Sequence, residues 1–253
     1  EATAIINGVR RAEPFMTVQQ AHPNVTVACL HLFESYRGKP EIESISATHL
    51  KMALDLVNTD GAFNKPLLWF YNPMDVDWAL RAFPARGVVY DCMDELSQFA
   101  GAPKELVDRE RRLLSRADVI FTGGHELYRR KSVGRSNVYC FGCGVDVSHF
   151  RQAALTSTTV PDDLTSLQGP IIGWFGVVDE RFDYKLIEKV AAMRPNWNFV
   201  MVGPVVKVDP DSLPQGPNLH WLGGRDYSDF PRYCKGFDVC MMPCALNEAN
   251  EYN

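Results

Sequence analysis

Long hydrophobic runs are missing from this sequence. No segment approaches the roughly 18 consecutive apolar residues of a membrane-spanning helix, because charged residues, proline or glycine interrupt each run. A surplus of positive charge is also missing, since 26 basic residues stand against 31 acidic ones and give a formal net charge of −5. We therefore expect a soluble or at most peripheral protein that has no general attraction for nucleic acid.

Two nucleotide-binding fingerprints are absent as well. The sequence contains neither GxGxxG, which marks a dinucleotide-binding turn, nor GxxxxGK[ST], which marks a phosphate-binding P-loop. No resident cofactor is therefore indicated. What the chain does contain is 46% hydrophobic and 23% charged residues over 253 positions, which is enough apolar material for one large domain or two modest ones.

The seven cysteines are an odd number and lie mostly in strand-like apolar runs. This usage is typical of buried thiols in a reducing compartment, so we expect the cytoplasm, or the inner face of the membrane for a peripheral protein. The alternative is a four-thiolate zinc site, because four of the cysteines form two closely spaced pairs. These are Cys140 with Cys143, and Cys240 with Cys244.

The first 150 residues alternate between strand-like and helix-like patterns. Short β-branched and apolar runs predict strands at 25–30, 67–71, 87–90, 118–122 and 137–141. Apolar residues at helical spacing predict helices at 43–58, 75–83, 103–117 and 126–131. This order predicts an α/β domain with a parallel sheet and helices on both faces.

The composition changes at residues 151–169, which are rich in Ala, Ser, Thr, Pro and Asp without periodicity and therefore resemble a linker. Alternation resumes beyond it, with strands predicted at 171–175, 197–202, 219–222 and 238–242 and helices at 184–193 and 228–235. The sequence thus predicts a domain at 1–150, a linker at 151–169 and a partial second domain at 170–253. Because the chain begins without Met and stops after a turn-like segment, we expect it to be truncated at both ends.

Ligands of open α/β sheets bind beyond the carboxyl ends of the strands, and two such domains in tandem would face a cleft. In the first half, the strand at 87–90 leads into Asp91, Asp94 and Glu95, three carboxylates within five residues. A polar binding site tolerates such crowding. The alternative is that Asp94 caps the next helix and the other two carboxylates are solvated.

A second candidate in the first half is the turn after the strand at 118–122, which contains Gly123, Gly124 and His125. Two glycines let the backbone approach a ligand closely, and the following helix offers free N–H groups to an anion. The alternative is a tight strand-to-helix turn without a ligand.

The second half offers cations at the ends of its strands. Gly176 and Asp179 follow the strand at 171–175, and Arg181 and Lys185 could present a guanidinium and an ammonium to a diphosphate. The alternative is that neighbouring acidic residues pair with both cations. Gly203 and Lys207 follow the next strand in the same way, which adds a further cation to the same edge.

A basic stretch lies at residues 104–135, with nine basic and five acidic residues in a chain that is acidic overall. Such a stretch could contact anionic lipid headgroups. The alternative is a solvated helix whose arginines form salt bridges.

From about Leu67 to the C-terminus, the motifs resemble a family of bacterial glycosyltransferases of the GT-B fold, the group 1 or GT4-like enzymes related to teichuronic acid biosynthesis proteins. The motifs that carry this resemblance are Val88–Leu96, Glu110–Gly124, Gly144–Asp146, Gly173–Asp183, Met201–Lys207 and Trp221–Gly224.

The resemblance implies two Rossmann-like domains that face a cleft. The first would bind a carbohydrate or lipid-linked acceptor, and the second a nucleotide-diphospho-sugar, without an obligatory metal. Arg181, Lys185 and Glu248 would be catalytic. The donor would be bound by Gly176, Asp179, Arg181, Lys185, Gly203, Lys207, Asn247 and Glu248. The acceptor side would contain Asp91, Asp94, Glu95, Gly123, Gly124 and His125.

Two other classes of protein stay open. A sugar-binding protein of the periplasmic type also has two α/β domains, and a nucleotide-sugar epimerase or dehydrogenase would bind a related ligand. The odd number of cysteines argues against the first class, and the missing GxGxxG argues against a dehydrogenase.

Overall fold

The computed structural model describes residues 3–6, 9–12, 16–31, 41–58, 61, 63–99 and 101–246. The chain divides into two compact units, Glu1–Gly142 and Cys143–Asn253. The division lies between Gly142 and Cys143, whereas the change in composition placed the end of the first domain at residue 150.

The first unit contains eight described strands and four described α-helices. The strands are β1 (Thr3–Ile6), β2 (Val9–Ala12), β3 (Met16–His22), β4 (Val25–Leu30), β5 (Leu67–Phe70), β6 (Gly87–Cys92), β7 (Val119–Thr122) and β8 (Val138–Cys140). The helices are α1 (Glu41–Val57), α2 (Val76–Ala82), α3 (Leu106–Arg116) and α4 (His125–Lys131).

The main sheet of the first unit has the order β5-β6-β7-β8, and all of its strands are parallel. This confirms the predicted parallel sheet. The first predicted strand was assigned wrongly, because β4 pairs antiparallel with β3 in a separate two-stranded sheet. A run of β-branched residues indicates a strand. When the run is only half buried, its hydrophobic pattern does not determine which other strand it pairs with.

One face of this sheet is buried beneath helices. Its side chains belong to alternate residues of each strand, and they include Phe70, Val88, Tyr90, Ile120 and Val138, all less than 9% exposed. Leu106 and Leu113 of α3 and Leu127 of α4 are buried with them. The alternate residues of the strands and the apolar faces of the helices thus form one core.

The opposite face of the same sheet carries exposed rings. Trp69 stacks on Phe121 with ring centroids 5.5 Å apart, and Tyr139 and Phe141 pack against the same Phe121 ring. Trp69 is nevertheless 46% exposed and Phe141 67% exposed. We call Trp69, Phe121, Tyr139 and Phe141 the aromatic face.

The second unit contains a second parallel sheet with the order β11-β10-β9-β12. Its strands are β9 (Ile171–Phe175), β10 (Asn198–Val202), β11 (Leu219–Gly223) and β12 (Val239–Cys240). Its helices are α5 (Val147–Arg151), α6 (Asp162–Thr165), α7 (Tyr184–Met193) and α8 (Phe230–Gly236). The prediction of a second parallel sheet is confirmed.

Both faces of the second sheet are covered. On one face, Ile187 and Ala191 of α7 pack with Ile172, Phe199 and Met201. On the other, Tyr233 of α8 and Leu164 of α6 pack with Ile171, Val200 and Val202. Val200 and Val202 are completely buried, as expected of the central strand of a parallel sheet.

Part of the segment 151–169 also belongs to this core. Leu164, in the short helix α6, is only 1% exposed and packs against the second sheet together with Val160. Composition predicts a linker here because the segment is too short to show a period. Leu164, Val160 and Leu167 pack this segment against the sheet.

Within the described ranges, no helix has both the length and the apolar character needed to cross a lipid bilayer.

Candidate functional site

The carboxyl edge of the second sheet is extended by its loops. The segments that follow β9 and β10 stay hydrogen-bonded to each other. The Gly176 N–H donates to the Val202 carbonyl at 3.0 Å, and the Val178 N–H donates to the Pro204 carbonyl at 3.0 Å. The Val206 N–H then donates to the Val178 carbonyl at 2.9 Å. The two loops that were predicted to bind the donor are therefore brought together.

Glycine is required where these loops meet. A Cβ atom at Gly203 would lie 1.6 Å from the Gly176 carbonyl oxygen, a separation that no side chain can adopt. The Gly203 N–H donates to the Gly223 carbonyl at 2.8 Å, so the last residue of β11 joins the same edge. Sequence reasoning assigned these glycines to a ligand, whereas the contacts in the structure are between the backbones themselves.

Asp179 and Arg181 form an ion pair at this edge. The Arg181 Nε lies 3.0 Å from both carboxylate oxygens of Asp179, and its Nη2 lies 2.8 Å from Oδ2. The Asp179 side chain is 6% exposed and that of Arg181 is 32% exposed. Pairing with a neighbouring acid, the alternative raised for Arg181, is what the structure contains, and it leaves Arg181 as the more accessible partner.

The turn that carries this pair is fixed at several points. The Tyr184 hydroxyl donates to the Asp179 carbonyl at 2.7 Å, and burial together with the charges of Asp179 and Glu180 raises the pKa of Tyr184 to about 12. The Asp183 side chain accepts from the Leu186 N–H at 2.9 Å and thereby caps α7.

The segment after β12 also holds this turn. The Asp183 N–H donates to the Pro243 carbonyl at 2.8 Å, and the Ala245 N–H donates to the Arg181 carbonyl at 2.8 Å. Two predicted site residues, Asn247 and Glu248, lie outside the described residues.

A pocket of about 260 Å³ opens beside the ion pair. It is lined by Trp174, Val177, Asp179, Arg181, Phe182, Met242 and Cys244. In the described part of the chain, the indole N–H of Trp174 is buried without a hydrogen-bond partner. The pocket is mainly apolar, and its charged groups are the paired Arg181 guanidinium and Asp179 carboxylate, so it is suited to a ligand that carries both apolar and charged atoms.

The other two predicted cations lie on the surface. Lys185 is exposed in the first turn of α7, and Lys207 pairs with Glu180 at 3.2 Å. Lys207 has φ 63°, the one positive value at a non-glycine residue in the described ranges. A lysine in this conformation costs roughly 1–2 kcal/mol, so the surrounding loop imposes it.

The three predicted carboxylates of the first unit do not share one set of partners. Asp91 accepts from the indole N–H of Trp69 at 3.3 Å, on the side of the aromatic face. Glu95 instead binds Lys131 at 2.7 Å and Ser97 at 2.8 Å, on the side of the helices. Asp94 is half buried, and its carbonyl accepts the Cys92 thiol at 3.6 Å.

A buried charge network lies beneath these carboxylates, and sequence reasoning missed it. The Lys131 ammonium lies 2.8 Å from both carboxylate oxygens of Glu110 and 2.7 Å from Glu95. Tyr90 donates to Glu110 at 2.8 Å. Burial alone would lower the pKa of Lys131, but the charges and hydrogen bonds of Glu110 and Glu95 outweigh it, so the pKa is raised. The network ties the loop after β6 to α3 and α4.

Gly123 serves the packing of two loops. A Cβ atom there would lie 2.7 Å from the Met93 carbonyl oxygen, so the turn after β7 touches the loop after β6. Gly124 caps α4, and His125 begins it, with its Nδ1 3.8 Å from the Cys140 sulfur. The tight-turn alternative accounts for these contacts.

The arginines of the basic stretch are largely paired with acids. Arg112 binds Asp77 at 2.7 Å, and both Arg129 and Arg130 bind Glu126 at 2.6 Å. Their hydrogen bonds lower the pKa of Glu126 to about 2. The salt-bridged alternative therefore describes this stretch.

Cys92 is expected to resist alkylation. Burial raises the pKa of its thiol to about 12, so at pH 8 only about one molecule in 10⁴ carries the thiolate that reacts. Exposed Cys143 is the internal control. Iodoacetamide treatment followed by peptide mass spectrometry should show Cys143 modified and Cys92 intact in the native protein, with both modified in urea. Equal rates in the native protein would contradict the buried position of Cys92.

The described residues contain no group of three or more His, Cys, Asp or Glu side chains that could hold a metal ion.

Comparison with known proteins identifies a relative. Over 184 residues the chain is 28% identical to the "Putative teichuronic acid biosynthesis glycosyltransferase TuaH" of Bacillus subtilis (strain 168), a match that covers 65% of this chain and 45% of that protein. The resemblance to bacterial glycosyltransferases is confirmed. No protein-family model matches this glycosyltransferase-like chain.

Solved structures agree on the fold. Two structures of Anabaena Alr3699/HepE, one with UDP-glucose and one with UDP and glucose, match 69% of the glycosyltransferase-like chain at 16% identity, with TM-scores of 0.50 and 0.53. These matches cover 52% and 51% of the solved chains. With two parallel sheets in tandem, the α/β fold is that of the GT-B class, as predicted. The chain spans about half the length of these relatives.

Proposed function

We propose that this chain is part of a glycosyltransferase that moves a sugar from a nucleotide-diphospho-sugar to a carbohydrate or lipid-linked acceptor of the cell envelope. The observation that carries the proposal is the Arg181 guanidinium, which is held by buried Asp179 at the carboxyl edge of the second sheet. That edge is where open α/β sheets bind ligands. The likeness to a glycosyltransferase and to structures with UDP-glucose supports it.

In the proposed reaction, the bond between the sugar's anomeric carbon and the diphosphate oxygen breaks, a bond forms from that carbon to an acceptor hydroxyl oxygen, and the hydroxyl proton is released. Negative charge builds up on the leaving diphosphate. A preorganised cation stabilises that charge more strongly than it stabilises the ground state. Arg181 would act in this way from its fixed position, and exposed Lys185 would add a mobile point charge. The proposed chemistry uses these cations in place of a metal ion.

The acceptor is proposed to bind at the carboxyl edge of the first sheet, where Asp91 lies near the end of β6 and Asp94 follows the strand. Carboxylates accept hydrogen bonds from sugar hydroxyls. Action at the inner face of the membrane, on a lipid-linked acceptor, is part of the proposal. Arg111 and Arg116, on the surface of α3, are the cations that could contact anionic headgroups.

The test is a calorimetric screen of the full chain against UDP, GDP and ADP, their sugar conjugates, NAD and free sugars, with and without EDTA. We expect one nucleoside diphosphate and its sugar conjugates to bind, and EDTA to leave the affinity unchanged. A response to free sugar alone would favour a sugar-binding protein, and a response to NAD alone would favour a dehydrogenase. Either result would contradict the proposal.

Replacing Arg181 by Ala should weaken the binding of that nucleoside diphosphate. The loss of a charge-assisted hydrogen bond is worth about 1.5–3 kcal/mol, which corresponds to roughly 10- to 150-fold in Kd. Arg194 provides a matched control, because it lies over the Trp197 ring at the opposite end of α7. Titration calorimetry should show wild-type affinity for Arg194→Ala. Unchanged affinity in Arg181→Ala would remove Arg181 from the donor site.

A further inference from the structure

Both oxygens of the Asp179 carboxylate accept hydrogen bonds from Arg181. Both carboxylate oxygens lie 3.0 Å from the Arg181 Nε, Oδ2 also accepts from Nη2 at 2.8 Å, and Oδ1 also accepts from the Arg181 backbone N–H at 3.0 Å. With a side chain only 6% exposed, Asp179 has little surface with which to touch a ligand. The family resemblance places Asp179 among the residues that would bind the nucleotide-sugar donor. Its contacts in the structure indicate a different role for this side chain.

The backbone on either side of the pair is also held. The Asp179 carbonyl accepts the Tyr184 hydroxyl at 2.7 Å and the Phe182 N–H at 3.2 Å. The Arg181 carbonyl accepts the Ala245 N–H at 2.8 Å. The backbone at Arg181 is therefore held by hydrogen bonds to neighbouring segments, and the Nε edge of its guanidinium is held by Asp179. An arginine otherwise has many rotamers to lose when it binds a ligand.

We propose that Asp179 is a positioning residue for diphosphate binding: it acts through Arg181, whose guanidinium it holds in the orientation that meets the phosphates. This inference rests on the proposed function.

Charge alone predicts the opposite effect. A carboxylate close to a bound diphosphate repels it, so neutralising that carboxylate should tighten binding. If Asp179 positions Arg181, neutralising it releases the guanidinium and should weaken binding. The sign of the change in Kd therefore separates the two roles.

The experiment measures the Kd of the full chain for UDP, GDP and ADP by calorimetry, in wild type and in Asp179→Asn. For the nucleotide that binds wild type best, we expect Asp179→Asn to raise the Kd by about 5- to 20-fold. Glu180→Gln is the matched control, because it removes the same charge from the adjacent residue, which contacts Lys207 rather than Arg181. Its Kd should stay equal to that of wild type or fall.

A double-mutant cycle tests whether the effect passes through Arg181. In an Arg181→Ala background, Asp179→Asn should no longer raise the Kd, because no guanidinium is left to position; the Kd should stay equal or fall as the carboxylate's repulsion is removed. Circular dichroism and thermal melting establish that each variant is folded. Should Asp179→Asn fail to fold, Asp179→Glu keeps the charge but moves the carboxylate, and it should raise the Kd in the same direction.

The measured Kd values separate a failure of the positioning role of Asp179 from a failure of the proposed function. If wild type binds none of the three diphosphates, both fail. If Arg181→Ala weakens binding while Asp179→Asn leaves it unchanged or tightens it, the positioning role is wrong and the proposed function stands. An equal effect of Asp179→Asn with and without Arg181 would likewise overturn the positioning role.

Discussion

Lys131→Met is expected to lower the free energy of unfolding by about 3–5 kcal/mol, the usual cost of removing one partner from a buried ion pair. Lys131 is 8% exposed and lies between the carboxylates of Glu110 and Glu95. Methionine fills nearly the same volume, so the loss is electrostatic. It leaves two buried carboxylates side by side with no cation between them.

Urea unfolding followed by circular dichroism measures this change. Arg129→Met is the control, because Arg129 pairs with Glu126 at the surface with its side chain 70% exposed, and solvent screens such exposed pairs so that they contribute little to stability. Similar losses in the two variants would contradict the buried network. Because the pKa of Lys131 is raised in the folded protein, its contribution is present at neutral pH and is lost only as the pH rises through that raised value.

Gly203→Ala is expected to destabilise the second unit by about 3 kcal/mol or more, since an inserted methyl group without space forces the backbone to move. The new Cβ would lie 1.6 Å from the Gly176 carbonyl oxygen, and backbone cannot yield as a flexible side chain can. The paired loops after β9 and β10 would separate. The same variant should therefore also lose affinity for a nucleoside diphosphate.

Gly224→Ala is the matched control for this substitution. A Cβ atom at Gly224 would meet no other atom within 4 Å, and the residue follows the neighbouring strand β11 at the same edge of the sheet. Urea unfolding should show Gly224→Ala within about 1 kcal/mol of wild type. A Gly203→Ala variant as stable as that control would mean that the two loops do not touch.

The elements that local signals define were well predicted from the sequence. Helix α7 has the predicted bounds, because Asp183 caps its start and apolar residues recur on one stripe up to Met193. Strand β4 was placed in the wrong sheet, because its partner β3 is decided by pairing and not by its own residues. Hydrophobic pattern fixes which residues are strands more readily than which strands pair.

For the candidate site too, contacts between residues close in sequence could be predicted and contacts between distant residues could not. The pair of Asp179 and Arg181 is two residues apart in sequence and could be foreseen as an alternative. The network around Lys131 joins residues 21 and 36 positions away and could not. One signal was available: Glu110 lies on the apolar stripe of α3, between Leu106 and Leu113, and a buried carboxylate needs a cationic partner.

The pairing of the loops beyond β9 and β10 has a consequence for the entropy of binding. Ordering a backbone residue costs about 1–2 kcal/mol, and a flexible loop incurs that cost when its ligand arrives. Here the hydrogen bonds from Gly176, Val178 and Val206 have already ordered the backbone during folding. A ligand that bound at this edge would therefore not incur the cost of ordering these loop residues, although it would still lose its own translational and rotational freedom.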